Sequence, residues 1–212
     1  MDILAPELTE YLENVVPPRS RELQKMEAYA AKHNFPIIGP VCGHLLYQIT
    51  RSLKAKRVFE MGSGYGYSTA WFAQAVKENG GGEVHHVVWE EQLSKLAREH
   101  LKALGYDGLI KYTMGEAIQT LQAAKGPFDI IFMDINKEDY VKALPTIYEK
   151  LRVDGLLIVD NILWSGRIFD KKDQSPATEA IRELTGMVMN NDRWVASIIP
   201  LRDGLLVATK LH

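Results

Sequence analysis

Apolar and polar residues alternate with two different periods along this chain, and the change falls near residue 56. In the first third, apolar residues recur at helical spacing, which predicts helices over residues 6–16, 20–33 and 39–53, with a break at Pro17-Pro18. From Arg57 onward, amphipathic segments separate short β-rich runs: RVFEM, VHHVVW, LIKYTM, FDIIFMD and GLLIVDNI. This alternation predicts βαβ units and a parallel sheet covered on both faces.

The C-terminal segment departs from this alternation. Residues 193–200 and 204–210 are both β-type runs, and the turn between them contains Asp203-Gly204, a dipeptide typical of hairpins. We therefore expect at least one antiparallel strand. Because the chain shows no repeat, low-complexity tract or linker-like stretch, we expect residues 1–212 to form one domain, with a helical N-terminal extension (1–55) and an α/β core (56–212).

Composition limits the classes of partner and compartment. The chain carries 25 Lys and Arg against 27 Asp and Glu, a net charge of −2, so binding to nucleic acid would depend on a local basic patch. Cys42 is the single cysteine and cannot form an internal disulfide, and no export leader is recognisable. The apolar runs are shorter than the roughly 18 residues that a membrane span needs. We expect a cytoplasmic protein that does not enter a membrane.

A glycine-rich loop follows the first predicted strand and precedes a helix. Gly62, Gly64 and Gly66 lie in MGSGYGYS, whereas a dinucleotide fingerprint would place a glycine at Tyr67, and the lysine of a phosphate-binding P-loop is missing. NAD and ATP are therefore disfavoured. The loop is either a ligand site at the carboxyl edge of the sheet or a tight turn without a ligand.

Oxygen-bearing side chains end two other predicted strands. Asp134 follows Ile130–Met133, and Asp160 and Asn161 follow Leu156–Val159. Adjacent parallel strands would bring these groups together at one edge of the sheet. Three oxygen ligands without clustered cysteine or histidine suit Mg²⁺, Mn²⁺ or Ca²⁺, although strand-end Asp and Asn are more commonly cap or turn residues.

The runs VFEMGSGYGYSTAWFA, FMDINKEDY and GLLIVDNILWSGRI resemble the metal-dependent O-methyltransferases that include the catechol and caffeoyl-CoA enzymes and small bacterial members. The similarity extends from the PPR-containing N-terminal helices to the DGLLVATK hairpin. It implies a Rossmann-like methyltransferase fold with a mostly parallel seven-stranded sheet, an antiparallel strand in the C-terminal hairpin, and S-adenosylmethionine as cofactor. It also implies that Asp134, Asp160 and Asn161 hold a divalent cation, Mg²⁺ being preferred.

The resemblance also implies the contacts of the cofactor. Glu60 would meet its cationic amino group, Ser68 would bind its carboxylate at a helix N-terminus, and Ile38 would lie over its methionine part. Ile38 is otherwise a core residue and Ser68 a helix cap. The implied cofactor residues are Ile38, Glu60, Gly62, Ser63, Gly66, Ser68, Glu116, Ala117 and Asp134.

One position departs from the family pattern. The second strand usually ends in an acidic residue that binds the ribose hydroxyls, and Val88 occupies that position here. Glu90 lies two residues further on and is a candidate replacement if the strand continues. The alternative is that Glu90 and Glu91 only stabilise the first turn of the following helix through its dipole.

The resemblance also implies that Lys137, three residues after Asp134, is the catalytic base that deprotonates the acceptor hydroxyl. Otherwise Lys137 is a solvated residue at a helix start. Trp164 is a candidate wall for a planar acceptor, or a core anchor.

The expected acceptor is a catechol-like or hydroxycinnamoyl small molecule. A second possibility is 5-hydroxyuridine in tRNA, because the N-terminal stretch is similar to bacterial members with that activity; Arg19, Arg21, Lys25 and Arg51 are its candidate phosphate contacts. A third is a weakly active S-adenosylmethionine-binding protein, suggested by Val88.

The N-terminal region also suggests an oligomer. Leu4, Leu8, Leu12, Val15 and Val16 recur near helical spacing. Such a stripe is covered either by its own domain or by a second copy of the chain. Because small members of the resembled family pair as homodimers, we expect a homodimer whose interface includes this region.

Overall fold

The computed structural model describes residues 5–212, in which eight α-helices surround a seven-stranded sheet. The helices are α1 (Pro6–Val15), α2 (Arg21–His33), α3 (Gly39–Ser52), α4 (Tyr67–Glu78), α5 (Glu91–Ala103), α6 (Ala117–Ala123), α7 (Tyr140–Lys150) and α8 (Pro176–Met189). The strands are β1 (Arg57–Met61), β2 (Glu83–Val88), β3 (Ile110–Met114), β4 (Phe128–Met133), β5 (Leu151–Val159), β6 (Trp194–Ile199) and β7 (Leu205–Lys210).

The strand order across the sheet is β3-β2-β1-β4-β5-β7-β6. The first five strands in this order are parallel, and β7 is inserted between β5 and β6 and runs antiparallel to both. The predicted Rossmann-like fold, with its mostly parallel sheet and terminal hairpin, is thus confirmed. The carboxyl ends of β1, β4 and β5 lie side by side, which is where open α/β sheets place their sites.

Two apolar cores lie on the two faces of the sheet. One contains side chains of α2, α3 and α4, including the fully buried Met26, Leu46 and Phe72, and the other contains α6, α7 and α8, including Leu121 and Ile147. Burial at this scale is the main stabilising contribution to such a fold. Because both faces of β1 and β4 are covered, the site residues at their ends sit on a rigid base.

Helix α1 is the exception to this packing. Although its apolar residues follow helical spacing, none of its described side chains is buried, and Leu8, Tyr11 and Val15 are exposed. Leu4, the first residue of the predicted apolar stripe, lies outside the described residues. Across residues 5–212, the helices are too short or too polar to cross a membrane.

Candidate active site

A cavity of about 390 Å³ opens at the carboxyl edge of β1, β2 and β4. Its walls come from the glycine loop, the segment before α3, and the starts of α5 and α6. It brings together most of the predicted cofactor residues: Ile38, Gly62, Ser63, Ser68, Glu90, Glu116, Ala117 and Asp134. Phe35, Trp89 and Leu93 also line it and were not predicted. A site of this size with mixed apolar and polar walls suits a small organic ligand.

The glycine loop is fixed by its backbone. Gly62 and Gly66 have φ of +85° and +89°, a region that side-chain-bearing residues avoid. The N–H of Ser63 donates to the carbonyl of Val87 at 2.9 Å, so the loop is tied to β2. Gly66 does not line the cavity. It precedes α4, and a Cβ at this position would lie 3.2 Å from the Ala97 side chain, so Gly66 serves the packing of α4 against α5.

Glu60 lies beneath the cavity rather than in its wall. Its carboxylate is fully buried and accepts hydrogen bonds from the hydroxyls of Ser68 and Thr69, and the Thr69 hydroxyl also lies 3.0 Å from Nδ1 of His86. Burial raises the pKa of Glu60 to about 7, although the hydrogen bonds from Ser68 and Thr69 act in the opposite direction. Because Ser68 lines the cavity, Glu60 reaches a ligand there through Ser68.

Both candidate residues at the end of β2 line the cavity. Val88 is buried and apolar, and Glu90 is exposed. Glu90 directly precedes α5, but among the described residues its side chain makes no capping hydrogen bond. Glu116 differs, because its carboxylate accepts from the backbone N–H groups of Ile118 and Gln119 at 2.8 and 2.6 Å and so caps α6. Glu90 therefore has a carboxylate available to a ligand, and that of Glu116 is already engaged.

The oxygen cluster comprises Asp134, Asp160 and Asn161, which directly follow β4 and β5 beside this cavity. The backbone N–H of Asp134 donates to Met61 and that of Asp160 donates to Met133, at 2.9 and 3.1 Å, which ties together the ends of β1, β4 and β5. Lys137 donates from Nζ to Oδ1 of Asp134 at 2.8 Å. Since Asp134 also lines the cavity, it joins the two halves of the site.

Asp160 is the most deeply buried member of the cluster. Burial raises its pKa to about 6, the positive charge of Arg202 opposes this rise, and the negative charge of nearby Asp134 adds to it. Oδ2 of Asp160 accepts from the Arg202 guanidinium. Oδ1 is buried and has no hydrogen-bond partner among residues 5–212.

Asp203 holds the third predicted ligand in place. Its carboxylate accepts from Nδ2 of Asn161 at 3.1 Å and from the backbone N–H of Ser165. Asn161 and Trp164 have positive φ, +58° and +49°, so the segment after β5 is tightly curved, and Asp203 bridges it. With its amide nitrogen held by Asp203, Asn161 has its amide oxygen available to a cation.

The donor set fits a hard divalent cation. Asp134, Asp160 and Asn161 supply carboxylate and amide oxygens, and the unpartnered buried Oδ1 of Asp160 is suited to a cation ligand. In the part of the chain that the structure describes, no group of three or more His, Cys, Asp or Glu side chains is suited to a metal. The predicted trio contains two carboxylates and one amide.

Comparisons with known proteins show which family the chain resembles. A family model described as O-methyltransferase matches residues 16–211. The chain is 26% identical over 168 residues to the catechol O-methyltransferase of Niastella koreensis, an alignment covering 77% of this chain and 75% of the relative. It is 30% identical over 146 residues to the catechol O-methyltransferase of Mycobacterium tuberculosis, covering 68% and 66%.

Solved structures share the fold. The O-methyltransferase TomG from Streptomyces achromogenes, in complex with SAM, superimposes with a TM-score of 0.86 at 22% identity, covering 97% of this chain and 96% of that chain. The O-methyltransferase from Bacillus cereus, in complex with SAH, gives a TM-score of 0.86 at 23% identity, covering 96% and 97%.

Proposed function

Because the chain belongs to the O-methyltransferase family, we propose that it methylates one of two neighbouring hydroxyls on a small catechol-like or hydroxycinnamoyl acceptor. S-adenosylmethionine is the methyl donor, and a divalent cation is held by Asp134, Asp160 and Asn161. The observation that carries the proposal is the position of Asp134, which lines the cofactor cavity and contacts Lys137 at 2.8 Å. One residue therefore joins the donor pocket to the candidate base.

The cavity residues position the donor. The backbone N–H of Ser68, in the first turn of α4, takes the carboxylate of the methionine part, because the Ser68 hydroxyl already donates to Glu60 and the helix dipole favours an anion there. Glu90, which also lines the cavity, takes the ribose hydroxyls. The bound donor supplies an electrophilic methyl group on a sulfonium. Fixing both reactants on one rigid sheet edge removes much of the entropic cost of bringing them together.

Lys137 moves the proton. A neutral phenol is a weak nucleophile at pH 7, and the cation supplies charge that favours its ionised form. In its neutral amine form Lys137 can donate one N–H to Asp134 while its nitrogen lone pair accepts the hydroxyl proton. The oxygen then forms a bond to the methyl carbon, and the carbon–sulfur bond breaks with its electron pair going to sulfur. Trp164 lies beside this position, its ring centroid 5.9 Å from Lys137 Nζ, and offers an aromatic face to a planar acceptor.

The basic groups proposed for tRNA are mostly engaged within the protein. Arg19 forms hydrogen bonds to Glu27, and Lys25 contacts Glu22 at 2.7 Å. Arg51 contacts Asn79 at 2.8 Å and Glu78 at 3.4 Å. Carboxylates beside these cations lower the positive potential available to phosphate. This supports the small-molecule acceptor over tRNA.

A weakly active binding protein is also disfavoured as the function. Such a protein needs the cavity but has no use for Lys137 and the oxygen cluster beside it. Glu90 on the cavity wall offsets the loss of the acidic residue at Val88.

The proposal also includes a homodimer, supported by the exposed apolar residues of α1, and a cytoplasmic setting, supported by the free, buried Cys42.

The test is a methyl-transfer assay with donor labelled in its methyl group. Acceptors are caffeate, the matched 4-hydroxycinnamate that lacks the second ring hydroxyl, and bulk tRNA. We expect label in caffeate alone, loss of transfer with a chelator, and recovery on adding Mg²⁺ or Mn²⁺. Full activity in chelator would contradict the cation, equal labelling of both acids would contradict the vicinal pair, and label in tRNA alone would replace the acceptor class.

A further inference from the structure

Two cations already accompany the two carboxylates of the oxygen cluster. Lys137 contacts Asp134, and Arg202 donates from its guanidinium to Oδ2 of Asp160. A divalent site usually presents carboxylates whose negative charge is uncompensated. Each of these two carboxylates is therefore paired with a cation before any metal binds, whereas Asp203 keeps its charge because it accepts only from the neutral groups of Asn161 and Ser165.

The guanidinium lies on the open side of Asp160. The Asp160 side chain is 1% exposed, whereas that of Arg202 is 35% exposed. The buried carboxylate is therefore approached from the solvent side by the arginine. Its other oxygen, Oδ1, has no hydrogen-bond partner in residues 5–212 and is the oxygen left for a metal.

The backbone at Arg202 adopts a conformation that is uncommon for residues with side chains. Arg202 has a φ of +53°, in the left-handed region. The turn around it is tightly packed, since a Cβ on Gly204 would lie 2.4 Å from the Leu163 side chain, and Gly204 accepts from the N–H of Ile162. Backbone strain at a residue whose side chain enters a site is typical of functional positions.

We infer that Arg202 is a resident cation of the oxygen cluster, which competes with a divalent metal for Asp160 and so weakens metal binding. The inference rests on the metal part of the proposed function. A metal that takes both oxygens of Asp160 must displace the guanidinium, and one that takes Oδ1 alone sits beside a second positive charge. Arg202 therefore sets metal affinity without being a ligand.

The experiment measures Mn²⁺ affinity on the whole chain, without donor or acceptor, from the electron paramagnetic resonance signal of free Mn²⁺. We expect Arg202→Met to lower the Mn²⁺ Kd by about tenfold or more, because removing a charge a few ångströms from a metal site has a large effect. Arg202→Lys, which keeps the charge, should stay close to the unmodified protein. The double variant Arg202→Met/Asp160→Asn should lose this increase in Mn²⁺ affinity.

Arg152→Met is the matched control. Arg152 contacts Asp129 at 2.6 Å with similar exposure, but at the amino end of the sheet, so this variant should leave Mn²⁺ affinity unchanged. Arg202→Gln repeats the test if Arg202→Met does not fold. Equal or weaker Mn²⁺ binding in the neutral variants overturns the inference and leaves the proposed function standing. No Mn²⁺ binding in any variant overturns the inference together with the proposed metal site.

Discussion

A Cβ atom added to Gly62 would lie 2.1 Å from the carbonyl oxygen of Asp134. The glycine loop that lines the cofactor cavity is thus in direct contact with the backbone of the residue that begins the oxygen cluster. Nothing larger than glycine fits between them without moving the end of β1 or β4. A displacement of the backbone at Gly62 would therefore also displace Asp134, so this contact couples the donor pocket to the acceptor side of the site.

Gly62→Ala should consequently lower both the free energy of unfolding and donor affinity. Gly81→Ala is the matched control, because Gly81 has a similar φ of +91° but no described atom within 4 Å of the added Cβ. Both variants carry the backbone strain, and only Gly62→Ala carries the clash, which should cost about 1–3 kcal/mol more. Urea unfolding and calorimetric titration with S-adenosylmethionine measure the two effects. Equal free energies of unfolding and equal donor affinities in the two variants would contradict the coupling between Gly62 and Asp134.

Replacing Lys137 separates a proton acceptor from a positive charge. Lys137→Ala should lower kcat by about 10²–10⁴-fold and leave donor affinity nearly unchanged, because a base acts in the transition state. Lys137→Arg keeps the charge next to Asp134 but cannot accept the proton, so it should be as impaired as the alanine variant. Near-normal kcat in Lys137→Arg would show that the charge alone matters. A defect confined to donor binding would show that Lys137 belongs to the cofactor pocket.

Glu90 and Glu91 form a natural matched pair at the start of α5. Both carboxylates lie near the same helix N-terminus, but Glu90 lines the cavity and Glu91 does not. Glu90→Gln should weaken donor binding by about 1–3 kcal/mol, the cost of losing a charged hydrogen-bond partner. Glu91→Gln should leave it unchanged. Equal donor affinities of the two variants in a calorimetric titration would show that Glu90 only stabilises the first turn of α5 through the helix dipole.

The buried pair Glu60 and His86 should give opposite contributions to the pH dependence of stability. Burial raises the pKa of Glu60 from 4.5 to about 7, so the folded state retains a proton that the unfolded state loses, and stability falls as pH rises between these values. Burial lowers the pKa of His86 from 6.5 to about 3, so the unfolded state binds the extra proton and stability rises with pH. Between about pH 4.5 and 6.5 the two contributions offset each other.

Replacing either residue should reveal the contribution of the other to the pH dependence of stability. Relative to the unmodified protein, Glu60→Gln should become more stable with rising pH by up to about 1.4 kcal/mol per pH unit between pH 5 and 6, and His86→Gln should show the opposite slope. Urea unfolding at several pH values measures both. Parallel stability profiles for all three proteins would show that neither group titrates as its burial implies.

Periodicity predicted the helices and strands well where local pattern and tertiary packing agree. The helix expected over residues 20–33 is α2, capped by Ser20, whose side chain accepts from the N–H of Leu23. Strand β5 begins at Leu151, earlier than the apolar run that starts at Gly155. Its first half is polar because Arg152 pairs with Asp129, and such a partner cannot be recognised from the run itself.

The parts of the site that were missed depend on long-range pairing. Asp203-Gly204 correctly indicated a hairpin turn, but the chain gives no local sign that Arg202 contacts Asp160, 42 residues earlier. That contact exists because β7 is inserted next to β5, which brings the turn to the end of β5. Trp89 was missed although it is a large exposed aromatic directly before Glu90 at the end of a strand, a signal that was present.

The exposed face of α1 leads to a prediction about assembly. Leu8, Val15 and Tyr11 are 44%, 56% and 63% exposed, whereas Leu12 and Val16 are half-buried. In the described structure, part of the apolar surface at the N-terminus is therefore uncovered. We expect a second copy of the chain to cover it. Light scattering should give a dimer at micromolar concentration, and the double variant Leu8→Lys/Tyr11→Lys should give a monomer. The free energy of unfolding should change by no more than about 0.5 kcal/mol per surface substitution.

The control variant Glu10→Lys/Glu13→Lys introduces two lysines on the other side of α1 and should remain dimeric. A monomeric unmodified chain would contradict the dimer, and a dimer that persists in the Leu8/Tyr11 variant would place the interface elsewhere.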